Sequence, residues 1–356
     1  MEPLVRRGKA ASISEFIIYF AVGSHVTNKH ILFIRKYSIP LMGFGLFLLV
    51  MITAAVVAAQ TATREPFIAD ITAHQTLKNV SVDTTQALYN LFENSHNDST
   101  PAGPQTVPPI ILAKLPEDFA EALTPDERRE LFLRSLLPIV LIENRRLHEQ
   151  RELAAWLLDN NLPVAGSPMR NWLTRLAKRY RVRGDLTKPA VRNKLLTRLD
   201  EIPPSLALAQ AAIETGWGSS RFALEGNSLY GQWTFDVNKG IEPNQRDEDA
   251  THRVASFPNL RASVRAYMRN LNTGNAYHEF RTARAMTRIE GQPLDANELA
   301  THLHRYSQRG EDYVSDLQQI IRSPAITALN NIHLGQTTQT LAASMTATTD
   351  HPHIGG

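Results

Sequence analysis

The chain has 356 residues, 43% of them hydrophobic and 21% charged, and no cysteine. That length supports one or two domains with a sizeable core, and the lack of cysteine excludes disulfides, thiolate metal sites and a cysteine nucleophile. The net charge of +3 is uneven: residues 1–60 hold six Lys/Arg against two acids, leaving 32 basic and 33 acidic side chains elsewhere, so no broad basic face for nucleic acid is expected.

Residues 39–59 form an uncharged run of 21 residues. As a helix it would span roughly 30 Å, the thickness of a bilayer core. Arg35 and Lys36 lie just before it, so the positive-inside rule puts 1–38 in the cytoplasm and the rest outside. A cleaved signal peptide, with Val57, Ala58 and Ala59 as its small residues, is the alternative. Either way the bulk of the chain is exported. Residues 60–108 are rich in Thr, Asn and Pro and read as a flexible linker with a typical span of about 40 Å. Within it, 68–92 carries a weak helical signal through Leu77, Ala87, Leu88 and Leu91.

A helical lead-in occupies 109–160. Thr124, Pro125 and Glu127 read as N-cap, N1 and N3 of a capping box. Leu131, Phe132, Leu136, Ile139 and Val140 then recur at helical spacing. Pro138 is expected to kink or divide this element, with a second helix over 141–158. Residues 161–325 form the expected catalytic domain. It opens with a helix near Ser167 and Pro168, whose stripe Trp172, Leu173, Leu176 and Tyr180 is core packing. The next helix follows Pro203 and Pro204, with Ser205 as its cap, and stops at Gly216. Turn formers and weak alternation between Trp233 and Phe257 predict a β element of two or three strands. Helices are expected over 260–272, 277–288, 295–303 (Asp295 as N-cap, Glu298 at N3) and 312–321. Residues 326–356 read as a disordered tail.

Glu214 closes the Ala/Leu/Ile-rich helix that follows Pro204. The carbonyl end of a helix disfavours a negative charge, and so do apolar neighbours. Both raise a carboxyl pKa and keep its proton available near neutral pH. Glycoside hydrolysis needs such an acid to protonate the leaving oxygen. Trp217, Tyr230, Trp233 and Phe235 offer flat faces for sugar rings. The alternative for Glu214 is a solvated helix-end residue or a local ion pair with Arg221. No His-Glu-x-x-His motif is present, and His302 and His304 diverge on a helix, so neither a metal nor a cofactor is expected.

The run Ala209-Gln210-Ala211-Ala212-Ile213-Glu214-Thr215-Gly216-Trp217-Gly218-Ser219-Ser220-Arg221 resembles the signature of the peptidoglycan-cleaving glucosaminidases, glycoside hydrolase family seventy-three. Gly226-Asn227-Ser228-Leu229-Tyr230-Gly231-Gln232-Trp233 resembles that family's second block. Within the family the sequence is most similar to the bacterial Bax-type proteins, through Ile202-Pro203-Pro204-Ser205-Leu206, Ala250-Thr251-His252 and the stretch from Tyr267 to Thr273. The likeness runs over roughly 115–322. It implies an α+β fold: a mainly helical lysozyme-like domain with a small β lobe, here preceded by a transmembrane helix and a flexible linker. It also implies Glu214 as general acid and Tyr313 as a tyrosine near the cleft.

The second carboxylate is left to Glu248, with Glu242 as its rival, or to the substrate's own N-acetyl group. The expected substrate-binding residues are Trp217, Asn227, Tyr230, Trp233 and Tyr306. Thr215 and Ser228 depart mildly from the family pattern. The reading is an endo-β-N-acetylglucosaminidase acting on peptidoglycan glycan strands in the periplasm, anchored in the bacterial inner membrane through 39–59. A lytic transglycosylase or muramidase on the same polymer, and a non-catalytic wall-binding module, are the alternatives.

Overall fold

The structure, a computed structural model, describes residues 79–95, 106–160, 162–243 and 253–335. The expected anchor (39–59), Glu248 and the end of the tail lie outside the described residues. Among those described, no helix is long and apolar enough to cross a membrane.

Helix α1 (Thr85–Asn94) lies inside the segment read as linker. Its Leu88 and Phe92 are buried, and Asp118 accepts bonds from the Thr85 amide (2.9 Å) and hydroxyl (2.8 Å). This part of 60–108 is therefore docked rather than a tether: two buried side chains, each worth about 1.5–3 kcal/mol, outweigh the polar composition around them. Strand β1 (Thr106–Val107) follows.

Helix α2 (Pro125–Asp159) is one unbroken helix of 35 residues. It starts on the expected capping box, with the Thr124 amide donating to the Glu127 carboxylate at 2.9 Å and the Glu127 amide to the Thr124 hydroxyl at 3.4 Å. Pro138 does not divide it. Proline removes one intrahelical bond, but Leu136, Leu137, Ile139 and Val140 around it are all buried, and packing on both sides keeps the helix in register. Helix α3 (Pro168–Arg179) is capped by Ser167, with Leu173, Leu176 and Ala177 buried. Helix α4 (Pro189–Arg198) is absent from the sequence expectation: it has no side-chain cap, and Leu195 is the residue it buries fully.

Helix α5 (Pro204–Thr215) is the centre of the fold. Pro203 is its N-cap, and Ser205 is buried in the first turn instead of capping it. Leu206 to Ala212 are all buried, as a helix apolar on every side requires. Helix α2 packs against it. Helix α6 (Arg221–Gly226), capped by Ser220, is a further element not anticipated.

Strands β2 (Trp233–Thr234), β3 (Gly240–Ile241) and β4 (Arg253–Ala255) form an antiparallel sheet in the order β2-β4-β3. Trp233 pairs with Val254 and Gly240 with Ala255. The β element thus matches the sequence expectation in place and strand number. Helices α7 (Leu260–Thr273), α8 (His278–Ile289), α9 (Ala296–Ala300) and α10 (Glu311–Ile321) complete the helical part. Asp295 caps α9 through the amides of Asn297 and Glu298. The residues after 325 are ordered through 335. Helix α11 (Pro324–Thr327) leads to β5 (His333–Leu334), which pairs in parallel with β1. The architecture is mainly helical with small sheets, consistent with an α+β lysozyme-like domain.

Two buried charge clusters tie α2 to the rest. Glu143 is fully buried and bonds Arg146 (2.8 Å), Arg261 (2.6 Å) and Arg265 (2.8 Å). Burial pushes its pKa up, but the Arg265 hydrogen bond and the charges of Arg146, Arg265 and Arg261 prevail and hold it at about 2. Asp200, just ahead of α5, faces Arg151 of α2 at 3.8 Å, Arg284 at 3.7 Å and Arg288 at 3.1 Å. The helices that present the site are thereby locked to one another.

Candidate active site

Glu214 sits in the last turn of α5, where Gly216 closes the helix in the left-handed conformation at φ 56°. Trp217 (φ 59°) and Gly218 (φ 83°) continue in that region. Three consecutive left-handed residues turn the chain sharply away, so nothing extends the helix over the carboxyl. The Thr215 hydroxyl accepts the Gly218 amide at 2.9 Å and donates to the Ala211 carbonyl at 2.7 Å, stitching the turn to the helix.

Glu214 is half-buried. Burial raises its pKa, and a hydrogen bond from Tyr313 works the other way. The expected upward shift is present, and desolvation is its main cause. Gly231 (φ 57°) passes so close that a Cβ there would stand 3.1 Å from Glu214 Oε2. Since β2 starts two residues later, the acid stands where the helical part meets the sheet.

Tyrosines surround it. Tyr313, on α10, is buried; burial and the Glu214 charge both raise its pKa, so it is a neutral phenol at working pH. Gln210 lies one turn before Glu214 on α5; its amide donates to the Tyr313 oxygen at 2.8 Å. Tyr267, on α7, donates to Gln210 Oε1 at 2.8 Å. Tyr306 donates to the Tyr230 carbonyl at 3.0 Å and stacks on Tyr313 with centroids 5.5 Å apart. Tyr277 packs beside Tyr306 at 5.9 Å. Sequence reasoning missed Gln210, Tyr267, Tyr277 and Gly231 as site residues. Gln210 had a readable signal: a polar side chain four residues before Glu214, hence on its face, in an otherwise apolar helix.

The other expected site residues are placed as follows. Tyr230 is 2% exposed and stacks on Tyr267 with centroids 3.8 Å apart. It is therefore core that carries the Gly231 loop, and not a sugar platform. Trp217 packs edge-on against Phe132 at 6.1 Å, with the Arg129 guanidinium 5.8 Å from its ring. It lines a cavity of about 1250 Å³ walled by Leu133, Leu137, Ile213 and Ile320, whose lining does not include Glu214.

Asn227 caps α6 and donates to the Phe257 carbonyl at 3.0 Å, so its amide holds the β element in place. Trp233 and Phe235 are 61% and 76% exposed at the sheet, where they can meet a polymer. Glu242 is bound to Arg253 at 2.9 Å, while its backbone carbonyl accepts from Arg221 at 2.7 Å. Arg221 thus does not compensate Glu214. Among the described residues no group of three or more His, Asp or Glu is placed to hold a metal.

A half-buried acid held by a phenol can give a proton to an oxygen presented at its open side. Residues 193–325 match the glucosaminidase family, described as mannosyl-glycoprotein endo-beta-N-acetylglucosaminidase. Protein bax of Escherichia coli (strain K12) is 35% identical over 191 residues, covering 52% of this chain and 66% of that relative. The chain thus spans just under two thirds of the length of the relative it matches. No solved structure matches the chain. Glu214, Gly231 and Tyr313 all fall within the matched segment, and through residues 193–325 this chain belongs to the glucosaminidase family, with bax as a relative.

Proposed function

We propose that the protein is a cell-wall hydrolase that cleaves the β-1,4 bond after N-acetylglucosamine in peptidoglycan, with Glu214 as general acid. The observation that carries this reading is a half-buried carboxyl, its pKa raised by burial and hydrogen-bonded by Tyr313, at the end of α5 in a glucosaminidase-family domain. In the reaction the Glu214 proton goes to the glycosidic oxygen as the C1–O bond breaks. Water then adds to C1 and yields a reducing N-acetylglucosamine end. Two routes complete the step: activation of the water by Glu248, or attack on C1 by the substrate's acetamido oxygen before water enters. A full rate in Glu248→Gln favours the second. The proposed setting is the periplasmic side of a bacterial inner membrane, with residues 39–59 as anchor.

Glu242 is tied to Arg253, which supports a second reading in which no carboxylate base acts, namely a lytic transglycosylase. Digestion of purified sacculi by the full chain separates the readings. Mass spectrometry after borohydride reduction would find reduced N-acetylglucosamine ends for the glucosaminidase. Anhydro-muramyl ends would establish the transglycosylase, reduced muramic ends a muramidase, and no new ends a binding module.

A further inference from the structure

We infer that Tyr267 and Gln210 form a one-way hydrogen-bond relay that keeps the Tyr313 hydroxyl proton directed at Glu214. The inference rests on the assignment of Glu214 as the acid. A glutamine amide has one accepting end and one donating end. Tyr267 donates to Oε1 at 2.8 Å, which turns Nε2 toward Tyr313, also at 2.8 Å. Tyr313 spends a lone pair on that N–H, and its single proton is left for the Glu214 carboxylate. Gln210 and Tyr267 are 0% exposed and Tyr313 is 1% exposed, so water does not replace any link.

Reversal of the amide would undo this. Oε1 would then face Tyr313 and take its proton. The Tyr313 lone pair would accept the Glu214 proton, turning the acid inward, away from a substrate. Tyr267 opposes the reversal because its own O–H would meet an N–H with no acceptor. Tyr267 and Gln210 touch no substrate; they are positioning residues that act through Tyr313. Among the described residues, the titratable groups around Glu214 are Tyr313 from α10, Tyr267 from α7, and Tyr277 and Tyr306 from the segments beside α8 and α10. Burial raises the pKa of all four phenols, so they remain neutral while the carboxyl titrates.

The test is the titration of Glu214 in the full chain, followed by carbon NMR of labelled glutamate carboxyls and assigned with Glu214→Gln. It needs no turnover. Tyr267→Phe keeps the ring that stacks on Tyr230. It should move the Glu214 titration upward by about one pH unit, the effect of one lost hydrogen bond to a charged group. Tyr313→Phe should move it in the same direction, and the double variant no further than Tyr313→Phe alone. Gln210→Met, which breaks the relay at its centre, should reproduce the shift if Tyr267→Phe fails to fold. An unmoved titration in a folded variant, or shifts that add in the double variant, would overturn the relay. If the titration moves but sacculi stay intact, the relay stands and the hydrolase reading falls. If wild-type digestion proceeds and the titration does not move, the reverse holds.

Discussion

Gly231→Ala probes the closest approach to the acid. At φ 57° an L-residue is strained, by about 1–2 kcal/mol. In a domain of this size that lowers the melting temperature by roughly 2–8 °C. The new methyl would also stand 3.1 Å from Glu214 Oε2, closer than most real Cβ contacts. The carboxyl must shift by a few tenths of an ångström and lose hydration on that side. A displacement of 1 Å costs about a hundredfold in a positioned reaction, so a loss of about tenfold in kcat is expected. Further desolvation raises the Glu214 pKa, and the alkaline limb of the pH–rate profile moves up. Gly166→Ala is the control, since Gly166 also has a positive φ (85°) but nothing within 4 Å of its Cβ position. Release of reducing ends from sacculi, measured beside thermal melts of both variants, gives the comparison. If Gly231→Ala loses stability but keeps the turnover of Gly166→Ala, the reasoning about the loop over Glu214 is wrong.

Other outcomes follow from the same geometry. Glu143→Gln leaves three arginines facing a neutral amide in the core, and urea unfolding should show a loss of about 3–5 kcal/mol. In the wild type the folded pKa of Glu143 is about 2 against an ordinary 4.5. Its contribution, about 3 kcal/mol, is complete above pH 4.5 and disappears as pH falls through 2; Glu143→Gln should flatten that part of the acid dependence. Thr124→Ala removes the hydroxyl half of the capping box on α2 and leaves the Thr124 amide on Glu127; it should lower the urea stability by about 1 kcal/mol, with unchanged turnover.

The candidate acid was legible because its signals are local. A helix of small and apolar residues, a carboxylate in the last turn and Gly216 as C-cap all lie between Pro204 and Gly216. The capping box at Thr124 and the sheet around Gly240 were legible for the same reason. What surrounds Glu214 was not. Gln210 meets Tyr267 and Tyr313 across separations of 57 and 103 residues, and no periodicity encodes such contacts. Aromatic residues near the acid in sequence misled for a related reason. Tyr230 and Trp217 have the composition of a sugar platform, but packing takes one into the Tyr267 stack and the other onto α2. Helix α4 escaped because Pro189 enters it without a capping side chain. The division expected at Pro138 did not occur because its cost of about 3 kcal/mol is a local quantity, and α2 is held by tertiary burial along most of its length.

The most direct measurement is the digestion of sacculi by folded Glu214→Gln beside wild type, with the ends identified by mass spectrometry. The account predicts reduced N-acetylglucosamine ends from the wild type and a rate at least a thousandfold lower, on the order of ~10³, from the variant that cannot donate a proton. Undiminished release of those ends by the variant would contradict it.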